Sequence, residues 1–252
     1  MRLTFLGTGT STGVPVLACH CATCTSPDSR DKRTRPSILL EFDGHVVVID
    51  TSPDFREQGL REGLERVDAV LFTHTHADHI FGLDDIRVFN FRQKQAIPIF
   101  GDQNSIDSIR RIFDYIFRGS YIGGGIPKLD VHVIDGPFEL WGKRLTPLPV
   151  FHGDLPILGF RFDHTAYVTD FSAIPETTMA MLEGLDVLIL DALRHKPHPT
   201  HSTVENSLEI VARLNPKRAF FTHIAHELSH AATDAALPAH VHLAYDGLQL
   251  DL

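Results

Sequence analysis

The segment Thr73-His74-Thr75-His76-Ala77-Asp78-His79 puts four ligand-type side chains within six residues, directly after the apolar run 69–72. A loop at a strand end can turn alternate side chains toward one point. His74 and His76 are then placed to bind one cation, while Asp78 and His79 bind a second beside it. Imidazole and carboxylate donors together suit zinc or manganese, and also iron or nickel. Three more candidates follow apolar runs: His152 after 148–151, Asp170 after 166–169 and His223 after 219–222. Taken singly, each reads more readily as a core or surface residue. Together they complete two coordination shells, with His152 joining the first ion, His223 the second, and Asp170 bridging them. A water shared by two such cations loses a proton near neutral pH and becomes a nucleophile, and the same charges neutralise phosphate oxygens in a transition state. Asp78 therefore counts among the catalytic residues as well as the ligands. The departing oxygen needs separate help, for which His201 is the candidate. It lies in His198-Pro199-Thr200-His201-Ser202-Thr203, just ahead of an expected helix, where an imidazolium could protonate the leaving group or stabilise an oxyanion. The alternative is an ordinary loop histidine beside a helix cap.

A second constellation lies near the N-terminus. Cys19-His20-Cys21-Ala22-Thr23-Cys24 holds all three cysteines of the chain. Three thiols cannot pair evenly as disulfides, but they can take three corners of a zinc tetrahedron. His20 is too near in sequence to be the easy fourth ligand. His226, three residues after His223 on the turn leaving the same run, is the better choice. Buried or reactive thiols without metal are the alternative reading.

These motifs, in this order, resemble the metallo-β-lactamase superfamily over nearly the whole chain. The resemblance implies an α+β fold, a four-layer αββα sandwich with its site along one edge of two sheets. It also matches Asp50 to the aspartate that orients the metal-binding loop. The cysteine loop combined with Thr222-His223-Ile224-Ala225-His226 is similar to the PhnP-type phosphoribosyl cyclic phosphate phosphodiesterases. That similarity implies a structural zinc on Cys19, Cys21, Cys24 and His226. It makes His201 the active-site histidine outside the metal shells, the substrate a small, cyclic phosphodiester, and the protein a homodimer. An RNase Z-like nuclease shares the first metal motif but carries a long arm for tRNA, and no comparable basic insertion occurs here. A lactonase or thioesterase would use the same nucleophile on an acyl carbon. A metal-dependent sensing protein would lack a bridging ligand or the acid, whereas Asp170 and His201 are both present.

The elements that must carry these residues can be read from periodicity and turn residues. Strands are expected at 3–6, 37–42 and 45–50, the last two joined by Asp43-Gly44, and at 69–73, 97–100, 131–134, 160–162, 166–169, 187–190, 219–222, 243–245 and 248–250. Helices are expected over 54–66, 105–117, 176–183 and 203–214, with a glycine-rich tip at 119–126. The glycine-rich stretch 7–13 lacks the Lys-Ser/Thr of a phosphate loop and reads as a tight turn beside the site. Residues 1–252 thus form two β-rich halves packed as one domain. Net charge is −9, with 16 histidines in 252 residues. The acidic balance argues against a nucleic-acid surface. No run approaches the ~20 apolar residues that span a bilayer, and the N-terminus shows no signal peptide, so a cytoplasmic location is expected.

Overall fold

The computed structural model describes residues 1–118 and 125–252. Most of the expected glycine-rich tip therefore lies outside the described residues. The chain opens with β1 (Arg2–Gly7), β2 (Ser37–Phe42) and β3 (His45–Ile49) as an antiparallel set. Phe42 pairs with His45 across Asp43-Gly44, whose φ values of 49° and 80° are those a two-residue hairpin turn demands. The strands β4 (Ala69–Leu71), β5 (Ile97–Gly101) and β6 (Leu129–Val133) then add in parallel. Their crossovers carry helices α1 (Phe55–Arg61), α2 (Ala77–Ile80), α3 (Arg87–Gln93), α4 (Gln103–Ile112) and α5 (Asp114–Phe117).

The second half repeats the scheme. The strands β7 (Phe138–Leu140), β8 (Lys143–His152), β9 (Leu155–Phe162) and β10 (Thr165–Val168) run antiparallel. They are followed in parallel by β11 (Val187–Asp191), β12 (Arg218–Thr222) and β13 (Val241–Leu243). Helices α6 (Glu176–Met181), α7 (Val204–Leu214) and α8 (His230–Ala236) cover this sheet, and β14 (Gln249–Asp251) crosses back to pair with β1. The sheets run β14-β1-β2-β3-β4-β5-β6 and β13-β12-β11-β10-β9-β8-β7.

Three apolar layers hold this arrangement. Leu3, Phe5, Ile38, Phe160, Tyr167 and Ile189 belong to the layer between the sheets. Leu188 and Leu190 pack with Val204 and Val211 of α7 on one side, and Val48 and Val70 with Ile106 and Ile109 of α4 on the other. The central parallel strands are covered on both faces, which is why β4 and β11 are buried throughout and read as unbroken apolar runs. The result is the αββα sandwich expected from the sequence. Among the described residues no helix is long and apolar enough to cross a membrane.

Several local expectations are corrected. The helix expected over 54–66 stops at Arg61, close to Gly63, whose φ is +63°. The helix expected over 105–117 breaks at Phe113 into α4 and α5. The strand expected over 160–162 is the end of a long β8–β9 hairpin, whose first strand carries Pro147 and Pro149, residues that disfavour a strand interior. They are tolerated because β7 pairs only with residues 143–145, so the part of β8 carrying both prolines has a ladder on one side. The short helices α2 and α8 carry too little amphipathic pattern to be seen in advance.

Candidate metal centre

The expected ligands converge at the carboxyl ends of the strands, where parallel α/β sheets habitually bind ligands. Asp50 and His223 directly follow β3 and β12, Asp170 follows β10 one residue on, and all three have left-handed backbones, with φ of 65°, 57° and 57° for Asp50, Asp170 and His223. That conformation costs a non-glycine residue about 1–3 kcal/mol and gathers at functional sites. Here it ends the strand's alternation and swings each side chain toward the common point. His74 and His76 lie on the loop after β4, while Asp78 and His79 fall within the single turn of α2.

Two donor sets result. The ligand atoms of His74, His76 and His152 lie within 4.8 Å of one another, as do those of Asp78, His79, Asp170 and His223. Asp170 also groups with His152 and His201, so its carboxylate faces both sets. His79 Nε2 is 3.4 Å from carboxylate oxygens of Asp78 and of Asp170, and His223 Nε2 is 3.0 Å from Asp170 and 3.6 Å from Asp78. Donors about 2.1 Å from a shared centre would stand about 3.0–3.4 Å apart, so this spacing suits a coordinated cation. The ring nitrogens give the same answer: His74 Nε2, His79 Nε2 and His223 Nε2 are buried with no hydrogen-bond partner. The donors fit divalent metal ions.

Surrounding groups set the ring orientations. Asp50, fully buried, accepts from the Thr73 backbone N–H at 2.8 Å and the Thr73 hydroxyl at 2.7 Å, and lies 2.7 Å from His79 Nδ1. His152 Nδ1 donates to the Thr200 carbonyl at 2.8 Å. In both rings Nε2 is left for a cation. The electrostatics point the same way. Burial opposes charge on Asp78 and Asp170, yet His79 and His223 hold both carboxyls far below the usual range. Burial also lowers His79 and His223, but the facing carboxylates raise His79 well above its ordinary value and His223 to about 10. The facing carboxylates thus give the site surplus negative charge, a place prepared for cations.

His201 belongs to neither of these two sets, although its ligand atom also groups with those of Asp191 and His223. Its Nδ1 is 2.8 Å from Asp191 Oδ2, and its ring centroid lies 4.6 Å from that of His152 and 4.7 Å from that of His223. Burial, then repulsion from His223, lowers its pKa to about 4, while burial pushes Asp191 well above the carboxylate range. The expected imidazolium is therefore a neutral ring, and the His201–Asp191 pair shares the available proton.

The cysteine cluster forms as expected. Sγ of Cys19, Cys21 and Cys24 lie 3.3, 3.4 and 3.6 Å from His226 Nδ1. One ring nitrogen cannot hydrogen-bond three thiols, whereas a zinc tetrahedron with Zn–S of about 2.3 Å and Zn–N of about 2.0–2.1 Å has S···N edges of about 3.6 Å. The Cys24 backbone N–H is the chief cause that lowers the Cys21 thiol to about 6, while burial raises Cys24 to about 11.

Sequence reasoning missed Asp191, Thr200 as the carbonyl partner, and His198, whose ring lies 5.0 Å from that of His201. A carboxylate closing the apolar run 187–190 was a legible signal for Asp191. The Thr200 carbonyl left none, since any residue supplies one.

The chain belongs to the β-lactamase superfamily, whose domain matches residues 45–224. Within it, the chain is similar to a diphosphatase of the PhnP family known from its crystal structure. The two are 48% identical, cover 99% and 97% of each other and superpose with a TM-score of 0.93. An octanoyltransferase of Porphyromonas gingivalis is 40% identical over 253 residues, spanning 99% of this chain and 51% of its own length. A ribonuclease Z of Bradyrhizobium diazoefficiens is 28% identical over 172 residues, 65% of this chain and 50% of that protein. The chain thus spans about half the length of these two curated relatives. Family and site together define a β-lactamase-superfamily domain whose clustered His and Asp donors fit divalent metal ions.

Proposed function

We propose that the protein hydrolyses a small, cyclic phosphodiester of the phosphoribosyl or nucleotide kind. The observation that carries this reading is His201: a histidine outside the two donor sets assigned to the cations, backed by Asp191 and beside the rings of His152 and His223. His74, His76 and His152 would hold one divalent cation, Asp78, His79 and His223 a second, and Asp170 both. Such a pair supplies a deprotonated water and neutralises phosphate oxygens. The chain's own residues do the rest. Asp50 keeps the His79 proton on Nδ1, the Thr200 carbonyl does the same for His152, and the His201–Asp191 pair delivers a proton to the departing oxygen. Cys19, Cys21, Cys24 and His226 would hold a structural zinc, a thiolate site suited to a reducing cytoplasm. By likeness to the PhnP-type family the protein would be a homodimer, and its net charge of −9 argues against a nucleic-acid partner.

A second reading, hydrolysis of a diphosphate bond, is favoured by the 48% identity to the PhnP-family diphosphatase. Both reactions place a nucleophile in line with phosphorus and need a protonated leaving oxygen. Octanoyl transfer is the name of a protein about twice as long, so we read hydrolysis from the half that matches. The test is a screen of metal-analysed protein against phosphoribosyl and nucleotide cyclic phosphates, nucleoside diphosphate compounds, precursor tRNA, lactones and thioesters. Turnover of a cyclic phosphate, abolished by Asp78→Ala, is expected. Turnover confined to diphosphates selects the second reading. Turnover confined to RNA or acyl substrates, or none with any metal, overturns both.

A further inference from the structure

Arg33 is among the largest fully buried side chains of the described residues, and its one ion-pair partner, Asp31 at 3.0 Å, is buried with it. A buried charge is costly unless its geometry is used. The guanidinium spans two carbonyls: Nη1 donates to Ala225 O at 3.1 Å and Nη2 to Leu228 O at 2.7 Å. These carbonyls flank His226. Asp31 in turn accepts from the His230 backbone N–H at 2.7 Å, so residues 31–33 fasten the 224–230 turn at three points.

The same turn is held from its other side. Ile224 N–H donates to Thr8 O at 2.8 Å, Thr10 N–H to Ile224 O at 3.2 Å, and Ala225 N–H to Leu193 O at 3.0 Å. Residues 32 and 33 also meet the segment that carries the cysteines. Arg33 exchanges both backbone hydrogen bonds with Val14, and Lys32 Nζ donates to Cys24 O at 3.4 Å. The left-handed residue His223 begins this turn and His226 follows three residues on, so a shift of the turn moves both.

We propose that Arg33, seated by Asp31, is a positioning residue that fixes the 223–228 turn so that His226 meets the cysteines while His223 meets Asp78 and Asp170, coupling the two metal sites. The proposal rests on the metal assignments of the proposed function. It assigns Arg33 no contact with substrate.

The test compares the wild type with Arg33→Met and Arg33→Lys, each loaded with cobalt(II). Metal content is measured during graded chelation, together with the near-ultraviolet thiolate-to-cobalt absorption. Removing the partner that orients a metal ligand typically weakens metal affinity about 10–100-fold. Both variants should therefore release the cysteine-bound cobalt and one cluster ion at about 10–100-fold lower chelator, while the ion on His74, His76 and His152 stays. Lysine keeps a charge opposite Asp31 but offers a point ammonium that cannot span both carbonyls. If Arg33→Met does not fold, Arg33→Lys decides. Wild-type release and an unchanged thiolate band, even with a lowered melting temperature, would reduce Arg33 to a structural residue. Because the readout is metal release, a wild type without phosphodiesterase activity would overturn the proposed function and leave this inference to be judged separately.

Discussion

Asp50→Asn changes one atom at the point where the account is most exact. The carboxylate accepts from the Thr73 N–H at 2.8 Å and the Thr73 hydroxyl at 2.7 Å, and faces His79 Nδ1 at 2.7 Å. The asparagine Oδ1 can still take the Thr73 N–H, but its NH2 group must sit against the hydroxyl and the ring. An NH2 group donates, so His79 Nδ1 becomes an acceptor and the ring proton moves to Nε2, the nitrogen that faces Asp78 and Asp170. A protonated Nε2 cannot bind a cation. The loss should be at least the 10–100-fold in affinity typical of an orienting partner, about 1.4–2.7 kcal/mol. Metal-free protein should lose only about 1–3 kcal/mol for the mismatched contacts. Asp50→Ala differs, because it leaves two Thr73 groups and the ring without partners, about 3–9 kcal/mol against a typical total stability of about 5–15. Calorimetric metal titration and thermal unfolding of metal-free protein separate these outcomes. If Asp50→Asn bound both cluster ions as tightly as the wild type, the tautomer argument would be refuted.

Other outcomes follow from the same geometry. His201→Ala should keep its metal content but lose about 10²–10⁴-fold in kcat on esters of poor leaving groups. The loss should be smaller on bis(p-nitrophenyl) phosphate, whose leaving group needs no proton, and equal losses would argue against proton donation. Cys21→Ser should lower zinc content by one equivalent and reduce the unfolding temperature, measured by elemental analysis and calorimetry. Unchanged zinc would remove the cysteine site. Loading the cluster should release protons. His223 is raised to about 10 by Asp170 and Asp78 against the lowering effect of burial, so it holds a proton that a cation must displace. Apparent affinity should then climb with pH up to that limit and fall as pH drops below it. Titrations in buffers of different ionisation enthalpy would show this, and a pH-independent affinity would contradict it.

Much of the site was legible because its ligands sit where periodicity stops. Asp50, Asp170 and His223 each follow an apolar run, and the cluster at 74–79 follows another, so strand reading and ligand chemistry pointed to the same places. Legibility failed where a residue's role depended on a distant partner. Asp191 closes a strand as plainly as Asp50 does, but only the tertiary structure sets it against His201. Arg33 resembles any surface arginine in sequence, and its burial beneath the 224–230 turn follows from where the glycine-rich turn and the cysteine loop pack. The proline-bearing β8 was hidden for a similar reason, since whether a strand tolerates proline depends on how far its neighbour extends.

The convergence of His74, His76, Asp78, His79, His152, Asp170 and His223 on a pair of cations is tested most directly by anomalous diffraction. Crystals of the protein as purified would be measured on either side of the zinc and manganese absorption edges. Two peaks about 3.5–4 Å apart, with Asp170 between them, and a third among the cysteines and His226 are predicted. A single peak in the cluster, or none, would contradict the account.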